Sequence, residues 1–396
     1  MLPLYYKLNL TSIYTYLDVR FGKTAYRTGA SFFLLSKMLG AAARLYLVCL
    51  ILQNYVFGSM GVPFEITAAG TVFLIWLYTF RGGIKSLVWT DALQTLCLIT
   101  ALVLILYQLC RLNDFTVTEA IRHVTESPYG RWIEWDDWTS RQHFVKQFFS
   151  GVFIVIVMTG LDQDMMQKKL TCKNLRDAQK DMCSYGFSFI PLNMLFLGMG
   201  ILLLALASRE GIALPVKGDD ILPLFCAEGY LGNEVLVLFT IGIIAAAFSS
   251  ADSALTALTT SFCVDILDVE RRFARPEAVR KRVHGVIALL FVGFILCFEA
   301  VNDSSVIDAI YVVASYTYGP LLGLFAFGMF TRRKPWPAAV PWICVTAPVC
   351  CYLLDVWTAS VYGYRFGYEL LMLNGLFTFV GLYAFSKAYS PGMDKR

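Results

Sequence analysis

Ten long apolar segments constrain this sequence more than any other feature. A helix needs about 20 mostly apolar residues to cross a bilayer, and this chain of 396 residues is 57% hydrophobic and only 16% charged. The composition predicts an all-α polytopic membrane protein, a single unit over residues 1–396 with about ten transmembrane helices. The segments are 28–57, 63–80, 86–109, 147–166, 184–207, 232–260, 284–300, 305–330, 336–355 and 367–388.

Most Lys and Arg residues lie in alternate connections between these segments. Cytoplasmic connections of membrane proteins carry an excess of these residues, so the alternation predicts that both termini are cytoplasmic. The connections 168–183 and 264–283 are predicted to be basic cytoplasmic loops. The long connection 110–146 is predicted to be an extracellular loop with a small surface element.

A stripe of hydroxyl groups runs along the sixth segment, IGIIAAAFSSADSALTALTT at 241–260. At 100° per residue, its polar side chains fall on one half of a helix and its apolar side chains on the other. Such a stripe either packs two helices together or supplies oxygen ligands to a dehydrated alkali cation. Asp252, at the edge of the stripe, is expected to pair with a basic neighbour.

Asp91 is a carboxylate inside the third segment, in the sequence YTFRGGIKSLVWTDALQ at 78–94. Gly82 and Gly83 are expected to form a tight turn between the second and third helices, which places Asp91 one turn inside the membrane. A charge at this depth is costly unless it is paired. Asp91 therefore requires a cation, and a bound metal ion and a Lys or Arg from a neighbouring helix fit the sequence equally well.

Polar residues also interrupt the inner end of the fourth segment, TGLDQDMMQKKL at 159–170. Asp162 and Gln163 are candidates to hydrogen-bond a solute. The alternative, with equal weight, is an interfacial cap that leads into a basic amphipathic helix. Asp164, close to the lysines, is expected to be a surface charge.

Two cations, Lys37 and Arg44, share one face of the first segment. Lys37 is expected to extend its ammonium group to the cytoplasmic interface. Arg44 lies near the middle of the segment and must meet a carboxylate, carbonyl groups or an anionic ligand. A structural pair and an anionic substrate are the two interpretations.

The eighth segment contains Gly319 followed by Pro320, in the sequence ASYTYGPLLGLFAFGMFTRR at 314–333. Proline has no N–H group and cannot complete the helical hydrogen-bond ladder. The pair therefore predicts a kink that frees backbone carbonyl groups.

Several function classes lack their characteristic residues. The sequence has three histidines without an HExxH motif, which counts against a histidine metal site. Its eleven cysteines form no CxxC pair, and neither a disulfide framework nor a redox role is expected of them. There is no phosphate-binding loop and no nucleophile with a nearby base. The sequence predicts neither an enzyme, nor a cofactor, nor a nucleic-acid partner.

Five stretches, in register with the predicted topology, resemble the sodium:solute symporter family, which includes proline, sialic-acid, galactose and iodide carriers. The resemblance covers nearly the whole chain and implies an inverted-repeat, leucine-transporter-like helical bundle, with the solute site near the membrane midplane beside a discontinuous helix. The stretches are TSIYTYLDVRFG (11–22), YTFRGGIKSLVWTDALQ (78–94), GLDQDMMQ (160–167), AAFSSADSALTALTTSFCVDI (246–266) and GPLLGLFAFGMFTRR (319–333).

The resemblance also implies positions for the coupling ion. One sodium site of the family uses an alanine carbonyl and two consecutive serines, which match Ala246, Ser249 and Ser250. Some members bind a further sodium ion through an aspartate that matches Asp91, together with hydroxyls of the same serine helix.

For the solute, the resemblance implies a contact at Asp162, which matches a sugar-binding position of the galactose symporter. Sialic-acid symporters bind the substrate carboxylate with an arginine on the helix that corresponds to 28–57, and Arg44 lies about one turn from that place. Asp162, Gln163 and Arg44 are therefore the predicted substrate residues.

The resulting functional hypothesis is a sodium-coupled symporter that imports a small sugar, amino acid or organic anion as a monomer in a bacterial cytoplasmic membrane. The stretch TSIYTYLDVRFG normally follows the second core helix of the family but begins here at residue 11. We therefore expect an N-terminally incomplete core, without the first helix and most of the second. A membrane-embedded sensor or binding protein and a non-transporting truncated symporter are the alternatives.

Overall fold

The computed structural model describes residues 2–8, 12–131, 133–216, 218–301 and 306–388, with backbone alone at 55, 56, 59, 81–90, 247, 301, 306–309 and 388. Thr11, at the start of the first family-like stretch, lies outside these residues. The α-helices are α1 Leu2–Lys7, α2 Thr15–Phe21, α3 Lys23–Leu52, α4 Phe64–Leu112, α5 Val117–Glu126, α6 Phe144–Val155, α7 Gln163–Leu170, α8 Leu175–Glu210, α9 Ile221–Ala227, α10 Asn233–Ser261, α11 Val269–Arg272, α12 Pro276–Val301, α13 Val306–Phe330, α14 Ala339–Tyr362 and α15 Leu370–Ala384. Strands β1 Arg333–Pro335 and β2 Ser386–Ala388 pair antiparallel. Single π-helical turns follow α3, α6 and α10 at Gln53–Phe57, Ile156–Gly160 and Phe262–Ile266, and short 3₁₀ turns occupy Gly58–Met60, Pro128–Gly130 and Gly218–Asp220.

All ten predicted apolar segments are mainly helical in the described part of the chain, but the second and third both lie in α4 and the fourth is divided between α6 and α7. Seven helical stretches there are long and apolar enough to cross a membrane, or eight if one bent pair counts as a single span. Two further apolar helices, Phe64–Phe80 and Leu370–Ala384, are shorter. The predicted all-α polytopic membrane fold is confirmed.

The turn expected at Gly82 and Gly83 is absent from the structure. Helix α4 continues through both glycines as one helix of 49 residues. No proline interrupts the sequence between Phe64 and Leu112, and a glycine inside a helix costs only about 1 kcal/mol relative to alanine. The backbone that links the second and third predicted segments is therefore helical and not a glycine turn.

The fourth predicted segment is a broken helix. Helix α6 ends in the π turn Ile156–Gly160, and α7 begins after two residues at an angle of 61°. The break exposes carbonyl groups that have no helical donor. The hydroxyl groups of Tyr5 and Tyr14 donate to the carbonyls of Gly160 and Leu161 at 2.9 and 2.7 Å. Tyr5 of α1 and Tyr14, just before α2, therefore stabilise the break.

Three apolar clusters hold the helices together. One surrounds α13 and includes α1, α2, the first half of α3, α14 and α15. A second joins the other half of α3 to the first half of α4, α10 and α12, and a third joins the second half of α4 to α5, α8 and α9. Helices α3 and α4 each take part in two clusters, so they connect the three groups of helices.

Pro320 does free a backbone carbonyl, as the sequence predicts. Because proline has no N–H, the carbonyl of Tyr316 loses its helical donor. Asn374 of α15 replaces that donor: its Nδ2 lies 2.9 Å from the carbonyl oxygens of both Tyr316 and Ser315. A Cβ atom on Gly319 would lie 2.3 Å from the Asn374 side chain, so glycine permits this close approach of α15 to α13.

Candidate ion and solute site at a broken helix

The serine helix, α10, uses its two faces differently. Its apolar face packs into the second cluster, where Ala251, Ala254 and Leu255 are at most 3% exposed. Its polar face contacts α4 and α7 through Ser249, Asp252 and Ser253. The separation of faces predicted from the sequence is therefore present, and the hydroxyl stripe faces other helices of the protein.

Asp91 meets this stripe from α4. Ser249 donates a hydrogen bond to its Oδ1. The Lys168 ammonium group, from the last turn of α7, lies 2.9 Å from Oδ2 of Asp91 and 3.0 Å from the Ser253 hydroxyl. The Asp91 and Lys168 side chains are 30% and 31% exposed. Of the two cations that the sequence allowed for Asp91, the structure supplies a lysine from a neighbouring helix.

The structure therefore brings together two of the four predicted sodium ligands, Asp91 and Ser249. Ala246 and Ser250 lie half-buried within one turn of Ser249 on the same helix. Carboxylate and hydroxyl oxygens are the ligands that hard cations prefer. In this structure the Lys168 ammonium group is the cation that contacts the Asp91 carboxylate.

Asp252 forms no salt bridge with a basic residue in the described part of the chain, although the sequence predicted one. Tyr78 of α4 donates a hydrogen bond to its Oδ2. The other oxygen, Oδ1, is buried and has no hydrogen-bond partner among the described residues. A tyrosine hydroxyl from α4 therefore takes the place of the expected cation.

Asp162 occupies the break between α6 and α7, where it caps the new helix. Its Oδ1 accepts hydrogen bonds from the backbone N–H groups of Asp164 and Met165 at 2.9 and 3.3 Å. Its Oδ2 accepts one from the Tyr318 hydroxyl at 3.0 Å. Lys37 Nζ lies 3.2 and 3.1 Å from the two oxygens. The predicted cap is therefore present, but it is buried rather than interfacial.

Two expectations around this cap are wrong. Lys37 is 4% exposed and Asp164 is 8% exposed, whereas the sequence suggested an ammonium group at the interface and a surface carboxylate. Lys37 Nζ lies 2.9 Å from Asp164 Oδ2, so one buried cation serves two carboxylates. Each buried charge finds its partner on the other helix, which removes the need to reach water.

Gln163, the second predicted substrate residue, is 2% exposed. Its Oε1 accepts a hydrogen bond from the backbone N–H of Ile13 at 2.9 Å. Gln163 therefore connects the start of α7 to the segment before α2.

Arg44 has no salt bridge among the described residues. Its Nε atom is buried and lacks a hydrogen-bond partner in this part of the chain, although the guanidinium interacts electrostatically with Lys37, Asp164 and Tyr318. An orphaned buried donor of this kind is costly. Arg44 therefore has an electrostatic partner in Asp164 but no salt bridge among the described residues.

Sequence reasoning identified Asp91 and Ser249 but missed Lys168 as the partner of Asp91 and Tyr78 as the partner of Asp252. Lys168 and Asp91 are separated by 77 positions, and no local pattern links residues at such a separation. The only sequence signal for the pair was the requirement that Asp91 find a cation.

Comparison with known proteins gives several relatives that are transporters. Sodium/sialic acid symporters of Aliivibrio fischeri and Proteus mirabilis are each 26% identical to this chain. The matches cover 84% and 87% of this chain, and 66% and 70% of those proteins. The human sodium/iodide cotransporter is 24% identical, over 83% of this chain and 52% of its own length. The chain thus spans about half to two-thirds of the length of these relatives.

A solved structure of a Na⁺-coupled sialic acid symporter, in a substrate-bound outward-open state, has the same fold. It matches with a TM-score of 0.78 at 21% identity, and the match covers 98% of this chain and 80% of that one. The likeness confirms the predicted leucine-transporter-like bundle. The profile of the sodium:solute symporter family matches residues 1–339. The chain belongs to the sodium:solute symporter family, whose members are multi-pass membrane transporters.

Proposed function

We propose that this chain acts as a sodium-coupled symporter that moves a small anionic solute across the bacterial cytoplasmic membrane. The observation that carries the proposal is the convergence of Asp91 and Ser249 beside a broken helix. Discontinuous helices of this kind are where secondary transporters bind their ions and solutes.

The coupling ion in this proposal binds between α4 and α10. Asp91 supplies the negative charge and Ser249 an oxygen, and Ala246 and Ser250 supply further oxygens from the same two turns of α10. A cation held by a carboxylate and hydroxyls needs no water in its coordination shell, which suits a site within the membrane.

The solute in this proposal is an anion that contacts Arg44. The guanidinium forms no salt bridge among the described residues, and its buried Nε is available as a donor. Asp162 and Gln163 form the wall of the site at the break. The relatives named for sialic acid, iodide and monocarboxylates all carry anions, which supports this solute class.

Sodium binding would favour the outward-facing arrangement that accepts the solute, and the subsequent change would expose both to the cytoplasm. In this proposal both termini and the basic connections 168–183 and 264–283 are cytoplasmic, the connection 110–146 is extracellular, and the protein works as a monomer.

The direct test is uptake into proteoliposomes that contain the purified protein. An inward sodium gradient should drive accumulation of labelled sialic acid, iodide or a short monocarboxylate, and an equal choline gradient should not. Binding of one of these anions without uptake would instead identify a membrane-embedded binding protein. The absence of both uptake and binding for all three anions would contradict the proposed function.

Two variants assign the residues. Asp91→Asn removes the proposed ion charge and should raise the half-saturating sodium concentration about tenfold or more, since hydrogen bonds and ion contacts to charged groups contribute about 1.5–3 kcal/mol. Arg44→Gln should weaken solute binding at saturating sodium. Matched controls are Asp181→Asn and Arg27→Gln, which change exposed charges of the same type.

A further inference from the structure

Lys168 lies where the proposed sodium ion would have to bind. Its ammonium group contacts Asp91 of α4 and Ser253 of α10 at 2.9 and 3.0 Å, while Ser249 donates to the other oxygen of Asp91. The lysine itself belongs to the last turn of α7. One side chain thus connects the short half of the broken helix to the two helices that carry the ion ligands.

An ammonium group and a sodium ion make the same demand on this site. Both carry one positive charge and both take carboxylate and hydroxyl oxygens as partners. Asp91 has one negative charge, and two cations held against it would repel each other at short range. Lys168 has an alternative, because about a third of its side chain is exposed and its flexible stem can carry the ammonium group to water.

We propose that Lys168 is a tethered cation that sodium displaces from Asp91, and that this displacement releases the C-terminal turn of α7 from α4 and α10. The inference rests on the proposed sodium site and adds to it the residue that transmits ion binding to the broken helix.

The release has a defined direction. The start of α7 stays attached through Asp162, which Lys37 and Tyr318 hold in the buried cap. At the far end, which closes at Leu170, only the contacts of Lys168 with α4 and α10 are lost, while the Tyr6 hydroxyl still donates to the carbonyls of Lys169 and Cys172. Motion would therefore pivot about the bend between α6 and α7, at the boundary where the helix is already interrupted.

The test is a sodium titration of the purified full chain in detergent, at constant ionic strength with choline as the replacement cation. Tryptophan fluorescence and the midpoint of thermal unfolding report binding without a need for transport. The variants are Lys168→Met, which removes the competing cation, and Lys168→Arg, which keeps a charge. Lys169→Met is the matched control, because Lys169 is next in the chain and pairs with Asp181 instead.

We expect Lys168→Met to lower the half-saturating sodium concentration about fivefold or more, the factor that corresponds to about 1 kcal/mol of relieved competition. Lys168→Arg and Lys169→Met should respond like the unaltered protein. A sodium response that is absent from the unaltered protein and gained in Lys168→Met would support the displacement as well.

Two results separate failure of this inference from failure of the proposed function. If Asp91→Asn abolishes the sodium response while Lys168→Met leaves it unchanged or weaker, the sodium site stands and the displacement is overturned. If neither the unaltered protein nor Lys168→Met responds to sodium, both the site and the displacement are overturned. Should Lys168→Met fail to fold, Lys168→Gln replaces it, judged by the same criterion.

Discussion

The two ends of α7 are held by the same chemistry in different surroundings. At its start, Lys37 pairs with Asp162 and Asp164, and these side chains are between 4% and 11% exposed. At its end, Lys168 pairs with Asp91, and both side chains are about 30% exposed. Each is a lysine–carboxylate contact that joins α7 to a long helix.

The difference in burial decides what each contact can do. A buried charge that loses its partner has no water to replace it, so the Lys37 cluster is costly to open. A partly exposed pair exchanges partners with water or ions at little cost. The start of α7 is therefore a fixed anchor, and its end is the part that an ion can release.

The largest effect is expected for Lys37→Met. The change leaves two buried carboxylates without a cation and should lower the free energy of unfolding by about 3–5 kcal/mol. Chemical unfolding in detergent, followed by tryptophan fluorescence, measures the loss. Adding Asp162→Asn and Asp164→Asn to Lys37→Met should recover part of it, since asparagine also caps a helix. If Lys37→Met lowered the free energy of unfolding as little as Lys168→Met does, the two ends of α7 would not differ as described.

An intermediate effect is expected for Tyr318→Phe. It removes one hydrogen bond to the charged Asp162 carboxylate and should cost about 1.5–3 kcal/mol in the same unfolding assay. Tyr316→Phe, on the same helix, is the control, because the Tyr316 hydroxyl donates no hydrogen bond to a described residue. Equal losses in the two variants would mean that the anchor gains nothing from α13.

The smallest effect on stability is expected for Lys168→Met. In sodium-free buffer it should lower the free energy of unfolding by at most about 1 kcal/mol, because its partners are partly exposed to solvent. The measurement pairs this variant with Lys37→Met under identical conditions. A loss of several kcal/mol would make the end of α7 a second fixed anchor and leave no part of the helix for an ion to release.

Hydropathy was sufficient to predict the helices because lipid forces every spanning backbone to satisfy its own hydrogen bonds. Hydropathy could not predict that α4 stays helical through Gly82 and Gly83, since a glycine pair is compatible with both a turn and a helix. The break at Leu161 was also missed as a break, because its carbonyls are stabilised by Tyr5 and Tyr14 from a distant part of the chain.

The sequence predicted that a buried charge needs a partner, but it did not predict which residue the fold places beside that charge. The cost of a charge in the membrane predicted that Asp91 needs a cation, but not that Lys168 supplies it. The same reasoning failed for Asp164, whose lysine neighbours in sequence suggested a surface position. Its actual partner, Lys37, is 127 positions away.

Hydrogen–deuterium exchange along α7, with and without sodium, tests the central claim most directly. We expect sodium to speed amide exchange in residues 167–172, where Lys168 is released, and to leave residues 162–166 unchanged. Potassium or choline at the same concentration should have no effect. Slower or unchanged exchange at 167–172 upon sodium binding would contradict the account, since the end of α7 would then be held at least as firmly with the ion as without it.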